Sequence, residues 1–154
     1  MIKKIVLVFM FCMLAFSICQ AQEPAAFHDT WNVRNYYTSI NKYLTTFKIS
    51  GHHFYDNVNG LETHLVTFNE DPENILLIAE QDGKIVQIVI TDIKHEQLQE
   101  KTLATLRLFG GNASISDLNE AEKKNAVMIS GKDRNFIIRY ENNDIPTYIL
   151  YACK

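Results

Sequence analysis

Two dipeptides, each lying between runs of apolar residues, constrain the fold of this chain more than any other feature. Asn59-Gly60 separates residues 53–58 from 61–68, and Asp82-Gly83 separates residues 75–80 from 84–93. Asparagine, aspartate and glycine tolerate the positive φ angles of a two-residue type I′ turn, which joins neighbouring antiparallel strands. The sequence therefore predicts two β-hairpins and, with them, an antiparallel sheet.

The turns also predict which residues face one another in each hairpin. In the second hairpin, Leu77 is expected to face Ile88 on a wholly apolar core face, leaving the face of Leu76, Ile78 and Glu80 mixed. In the first hairpin, Phe54 is expected to face Leu65, and the polar side chains gather on the other face, with Tyr55 opposite His64. That polar face holds His53, Tyr55, Asn57, Glu62 and His64.

Three helices are predicted from apolar residues recurring at intervals of three and four. The first covers 29–49 and the second 94–109, with Asp92 as a possible cap and Gly110-Gly111 as the stop. Asp117 with Glu120 resembles a capping box for a short third helix that reaches Lys124.

Three further strands are predicted after the third helix, at 126–130, 136–141 and 147–153, where the apolar period returns to two. Strands that arrive in runs joined by tight turns favour an α+β fold. We therefore expect an N-terminal helix, an antiparallel sheet built from hairpins, and one further long helix and a short one packed on one side.

The N-terminus predicts export. Met1-Ile2-Lys3-Lys4 precedes an apolar run over 5–16, which is shorter than the ~20 residues of a transmembrane helix. Cys19 and Ala21 provide small side chains for cleavage, so residues 1–21 form a predicted signal peptide. An uncleaved anchor and a lipoprotein acylated at Cys19 remain alternatives, although Ile18 does not suit a lipidation motif. The Ala-Gln ending resembles Gram-negative signal peptides, which favours a periplasmic or secreted location.

Cleavage leaves residues 22–154, a suitable length for one domain. It also removes Lys3 and Lys4 and no acidic residue, so the formal charge moves from −3 to −5. An acidic surface disfavours nucleic acid and anionic membranes as partners.

Cys153 becomes the one remaining cysteine, which excludes an intramolecular disulfide. It is expected in a terminal strand, with an intermolecular bridge as the alternative.

No motif predicts an enzyme or a cofactor. The sequence has no Gly-Xaa-Ser-Xaa-Gly elbow and no glycine-rich nucleotide loop. The favoured interpretation is an exported module that binds another protein, in the manner of an inhibitor or immunity protein. Loops on a rigid sheet commonly carry recognition, so the expected contact residues lie at turns: Asp56, Asn57, Asn59, Asp82, Lys132, Asp133 and Arg134.

Two other functions remain open. A small metal-binding protein or hydrolase would use His53, His64 and Glu62, with Tyr55 assisting, because two imidazoles and a carboxylate can hold zinc or supply a general base. The same side chains also fit a solvated polar sheet face, since their spacing matches no established metal motif. The third possibility is a carrier of a small apolar ligand between helix and sheet.

Overall fold

The computed structural model describes residues 23–46, 48–69 and 71–154, without the side chains of 71–73. The predicted signal peptide, 1–21, lies outside these residues. Within them, eight antiparallel strands form one sheet and three helices accompany it, so the α+β prediction is confirmed. No helix in the described ranges is both long enough and apolar enough to cross a membrane.

A short strand that was not predicted precedes the first helix, and the hairpins and the other helices follow it. The helices are α1 (Val33–Ser39), α2 (His95–Leu108) and α3 (Ile115–Lys124), and a 3₁₀ turn (Ile40–Lys42) continues α1. The strands are β1 (Pro24–Ala25), β2 (Ile49–Val58), β3 (Leu61–Phe68), β4 (Asp71–Gln81), β5 (Lys84–Thr91), β6 (Ala126–Ile129), β7 (Asn135–Asn142) and β8 (Pro146–Cys153). The three predicted C-terminal strands are therefore confirmed.

The strand order is β2-β3-β4-β5-β8-β7-β6, and β1 pairs with the end of β8. Both predicted hairpins form, with positive φ angles at Asn59-Gly60 and Asp82-Gly83. β8 is the last strand along the chain, yet it lies between β5 and β7 inside the sheet.

A β-bulge changes the expected register of the first hairpin. Asp56 pairs with Thr63 as predicted, but Phe54 pairs with His64 because Tyr55 is the extra residue on β2. The predicted pairing of Tyr55 with His64 is therefore wrong. From this bulge to Gly51 the pairing is shifted by one, so that His53 faces Leu65, and a second irregularity follows between Gly51 and Ile49.

The second hairpin carries a bulge at Val86. Glu80 pairs with Ile85, whereas Ala79 pairs with Gln87 and Leu77 with Val89. The predicted pairing of Leu77 with Ile88 is therefore wrong: on β4 the main core takes the face that was expected to be mixed, whereas beyond the bulge on β5 it takes Ile88 and Ile90 from the face that was expected to be core. The residues that this hairpin contributes to the main core are Leu76, Ile78, Ile85, Ile88 and Ile90.

The first helix is shorter than predicted. Asn32 caps α1, its side chain accepting hydrogen bonds from the backbone N–H groups of Arg34 and Asn35, and the chain enters β2 at Ile49. Ile40 and Leu44 lie beyond α1 but are buried in the core. The apolar spacing therefore continues past Ser39 although the helix does not.

The second helix agrees with its prediction to within one residue at each end. The third begins earlier than predicted, since Ser114 is its N-cap and Asp117 the third residue of the capping box. The predicted capping box of Asp117 and Glu120 was therefore placed three positions too far along the chain.

Both faces of the sheet are apolar. The main core joins one face to all three helices and includes Phe27, Tyr36, Leu98, Leu118 and Phe136. A smaller cluster on the other face contains Leu77, Val89, Ile149 and Tyr151. Because β4, β5 and β8 bury apolar side chains on both sides, their sequence does not alternate clearly, and the pattern could not identify the helix-covered face.

Candidate functional site

Three turns lie at one end of the sheet. Because neighbouring strands are antiparallel, β2, β4 and β6 all run towards the same end, where each is followed by a turn. These turns, at 59–60, 82–83 and 131–134, form what we call the turn end. They span five strand spacings, or roughly 24 Å at about 4.8 Å per strand.

Six of the seven predicted contact residues are exposed at or beside the turn end: Asp56, Asn57, Asn59, Asp82, Lys132 and Asp133. Asp56 and Asn57 shape their own turn, because their side chains accept hydrogen bonds from the backbone N–H groups of Asn57 and Gly60. The other four side chains form no hydrogen bond or ion pair with the part of the chain that the structure describes. They are available to a partner.

Arg134, the seventh predicted residue, is engaged within the protein. Its guanidinium donates to the carbonyl oxygen of Ala26, and its Nη2 lies 3.1 Å from Oδ1 of Asp29. The hydrogen bond and charge of Arg134 lower the pKa of Asp29. Arg134 thus fastens the N-terminal segment to the β6–β7 turn.

A second group of polar side chains lies on the helix-covered face of β3 and β4. Glu62 and His64 come from β3 and Glu80 from β4, and their donor atoms all lie within 4.8 Å of one another. The His64 Nε2 atom is 3.7 Å from Oε2 of Glu80 and 4.0 Å from Oε2 of Glu62. We call these three residues the His–Glu cluster.

Burial distinguishes the members of the cluster. The Glu80 side chain is 6% exposed, and its Oε1 accepts a hydrogen bond from the backbone N–H of Val33, the first residue of α1. The His64 side chain is 12% exposed, and neither ring nitrogen has a hydrogen-bond partner among the described residues. Glu62 is the exposed member, at 54%.

Aromatic rings flank His64 on the β2 side. The Phe54 ring meets it edge to face with 5.8 Å between centroids, and the His52 ring is 6.5 Å away. Tyr37 of α1 in turn lies 4.9 Å from the His52 ring. The bulge at Tyr55 creates this arrangement, because it aligns Phe54 with His64.

The structure brings together two of the three residues of the predicted metal set. Glu62 and His64 lie two residues apart on one strand and so share a face. His53 pairs with Leu65 and lies on the opposite face. Glu80 was missed because its place depends on pairing between the two hairpins, although a carboxylate ending the apolar run 75–79 was a visible signal.

Another polar network connects α2, α3 and β8. The Glu122 carboxylate accepts hydrogen bonds from the Tyr148 hydroxyl and from Nε2 of His95, the latter at 2.7 Å. Burial raises the pKa of Glu122, but these hydrogen bonds outweigh it and lower the pKa below its ordinary value. Tyr148 itself is fully buried, so we assign the network to packing of the helices on the sheet.

No protein-family model, curated protein or solved structure matches this chain. Evidence for function therefore comes from the residues of the turn end and the His–Glu cluster themselves.

Proposed function

We propose that this protein is an exported binding module that recognises another protein, in the manner of an inhibitor or immunity protein. The observation that carries the proposal is the convergence of three turns at one end of a single sheet. A paired sheet fixes the relative positions of its turns, and loops held on such a scaffold commonly perform recognition.

The size of the turn end suits a protein partner. A circular interface of about 800 Å² per partner has a diameter of about 32 Å, so a width of roughly 24 Å covers much of one dimension of such a contact. Its exposed charges are more acidic than basic, with Asp56, Asp82 and Asp133 set against Lys84 and Lys132. Opposite charges speed association and select partners, so we expect a basic surface on the partner.

Export belongs to the same proposal. Cleavage after Ala21 would place the domain in the periplasm or outside the cell, and the intact mass of the exported protein should correspond to a chain beginning at Gln22. A mass that includes residues 1–21, or one that carries an acyl group at Cys19, would contradict this location or its mechanism.

Site-specific photo-crosslinking in the native host tests the recognition surface. A crosslinking amino acid is placed in turn at Asn59, Asp82 and Asp133, with Asn143 as the matched control because it is exposed in the turn at the opposite end of the sheet. We expect the same adduct from all three turn-end positions and none from Asn143.

A charge-reversal variant supplies the second arm of that experiment. Asp82→Lys combined with Asp133→Lys should reduce the adduct formed from Asn59 by about tenfold, because the partner's basic groups would then meet like charges. Equal crosslinking from Asn143, or three unrelated sets of adducts, would refute recognition through the turn end.

A further inference from the structure

We propose that Glu62, His64 and Glu80 bind a divalent first-row transition-metal ion, for which Zn²⁺ is the best match. The site lies on the helix-covered face, and its test does not depend on the turn end or its partner. One imidazole nitrogen and two carboxylate oxygens form a donor set that zinc accepts.

The first argument is electrostatic. Glu62 and Glu80 are directly paired across β3 and β4, and like charges in that position are destabilising. Glu80 is also buried, and a buried carboxylate requires a compensating charge. Neither carboxylate forms an ion pair with a lysine or arginine of the described residues, which leaves His64 as the group between them.

Another buried carboxylate of this protein provides a comparison, because its negative charge is compensated by a direct ion pair. Asp92 and Lys101 are both almost completely buried, and their Oδ2 and Nζ atoms are 2.7 Å apart. A protonated imidazole paired with Glu80 would be expected at a similar distance of about 2.7–2.9 Å. The separation of 3.7 Å exceeds this, so His64 and Glu80 are not joined by a direct hydrogen bond.

The second argument is geometric. Tetrahedral coordination with metal–ligand distances of about 2.0–2.2 Å places neighbouring donor atoms about 3.4 Å apart. The His64 Nε2 atom lies 3.7 and 4.0 Å from the two carboxylates, and all the donor atoms lie within 4.8 Å of one another, so side-chain movements of about 1 Å would bring them around one ion. Coordination through Nε2 would also give the buried imidazole of His64 a partner that the described residues do not supply.

The third argument is that Glu80 is already oriented. Its Oε1 is held by the backbone N–H of Val33, so its Oε2 remains directed towards His64. A hydrogen bond from outside the ligand set fixes a carboxylate for coordination and raises metal affinity. The two glutamates would balance the charge of a divalent ion, and three protein ligands would leave a fourth position for water.

The ligand chemistry narrows the choice of ion. Calcium and magnesium prefer sites made entirely of oxygen, whereas imidazole suits zinc and its neighbours in the first row. Since no thiolate is present in the set, a soft ion such as Cu⁺ is disfavoured.

Calorimetric titration of the exported protein with ZnCl₂ tests the proposal, using protein purified without a metal-affinity tag. We expect one Zn²⁺ per chain, and we expect Co²⁺ at the same site to give the visible absorption of a coordinated ion. His64→Gln and Glu80→Gln should each weaken Zn²⁺ binding by at least about 100-fold, since they remove ligands rather than supporting groups.

His53→Gln is the matched control, because it removes a histidine of the same hairpin from the opposite face and should leave Zn²⁺ affinity unchanged. Glu80→Gln keeps an oxygen for the Val33 N–H, so the metal-free variant should remain folded. Zn²⁺ should raise the Tm of the wild type but not of His64→Gln. Absence of 1:1 binding by both ions, or equal affinity in the His64, Glu80 and His53 variants, would overturn the proposal.

Discussion

At the scale of single residues, Glu100 shows how one carboxylate can organise a loop. It projects from α2 and accepts hydrogen bonds from the backbone N–H and the hydroxyl of both Thr45 and Thr46, at 2.7–2.9 Å. Burial raises the pKa of Glu100, but the four hydrogen bonds outweigh it and bring the pKa to about 2. The ionised carboxylate therefore stabilises the chain between the 3₁₀ turn and β2.

Glu100→Gln should lower the free energy of unfolding at pH 7 by about 1–3 kcal/mol, because an amide is a weaker acceptor and one of its two polar atoms donates. The folded pKa lies below the ordinary value of 4.5, so this stabilisation is complete above that pH. It is lost as the pH falls from 4.5 towards 2. Urea unfolding of both proteins at pH 7, 4 and 3 should show the difference shrinking, and a difference independent of pH would contradict this role.

At the scale of elements, the turn between β6 and β7 depends on a glycine for space. A Cβ atom at Gly131 would lie 2.6 Å from the carbonyl oxygen of Arg134 and from Cε2 of Phe136. Phe136 is fully buried, and Arg134 is held by Ala26 and Asp29, so neither neighbour can move easily.

Gly131→Ala should therefore lower the free energy of unfolding by about 1–3 kcal/mol through overpacking. Gly51→Ala is the matched comparison, since a Cβ there meets its nearest atom at an ordinary 3.5 Å, and its effect should stay within about 0.5 kcal/mol. Chemical denaturation of both variants measures the difference, and equal effects would show that the turn adjusts to the added methyl group.

The sequence was sufficient to predict elements that local chemistry decides. Asparagine or aspartate followed by glycine located both hairpin turns, and Gly110 located the end of α2, although Lys94 rather than the expected Asp92 is its N-cap. The sequence was insufficient for register, because the bulges at Tyr55 and Val86 have no local signature and each shifts the pairing beyond it by one residue.

The difference between local sequence and strand pairing also explains which residues of the His–Glu cluster were predicted. Glu62 and His64 share a strand, so the two-residue period alone placed them on one face. The positions of His53 and Glu80 depend on pairing with other strands, which the pattern of one strand does not contain. His53 was therefore included in the predicted metal set and Glu80 was omitted.

At the scale of the whole molecule, β8 joins the two parts of the sheet. It pairs with β5 on one side and β7 on the other, and its last residues also pair with β1. Cys153 lies in this strand with a fully buried thiol that donates to the carbonyl oxygen of Asn135 at 3.7 Å. An intermolecular disulfide would require β8 to leave the sheet.

The Cys153 thiol should consequently report global unfolding. In the native protein, a thiol reagent in excess should react at the rate of opening of β8, several orders of magnitude slower than with the protein in denaturant. The measurement is the absorbance change of an aromatic disulfide reagent, with non-reducing electrophoresis alongside. Rapid labelling without denaturant, or a disulfide-linked dimer, would show that β8 opens independently.

The central position of β8 also determines when the sheet can be completed during synthesis. Until that strand has left the ribosome, β2–β5 and β6–β7 remain separate groups of strands with no shared partner. Local hairpins can form early, but pairings between distant segments must wait for the chain that supplies them. A nascent chain of this design stays incompletely folded until β8 has been made.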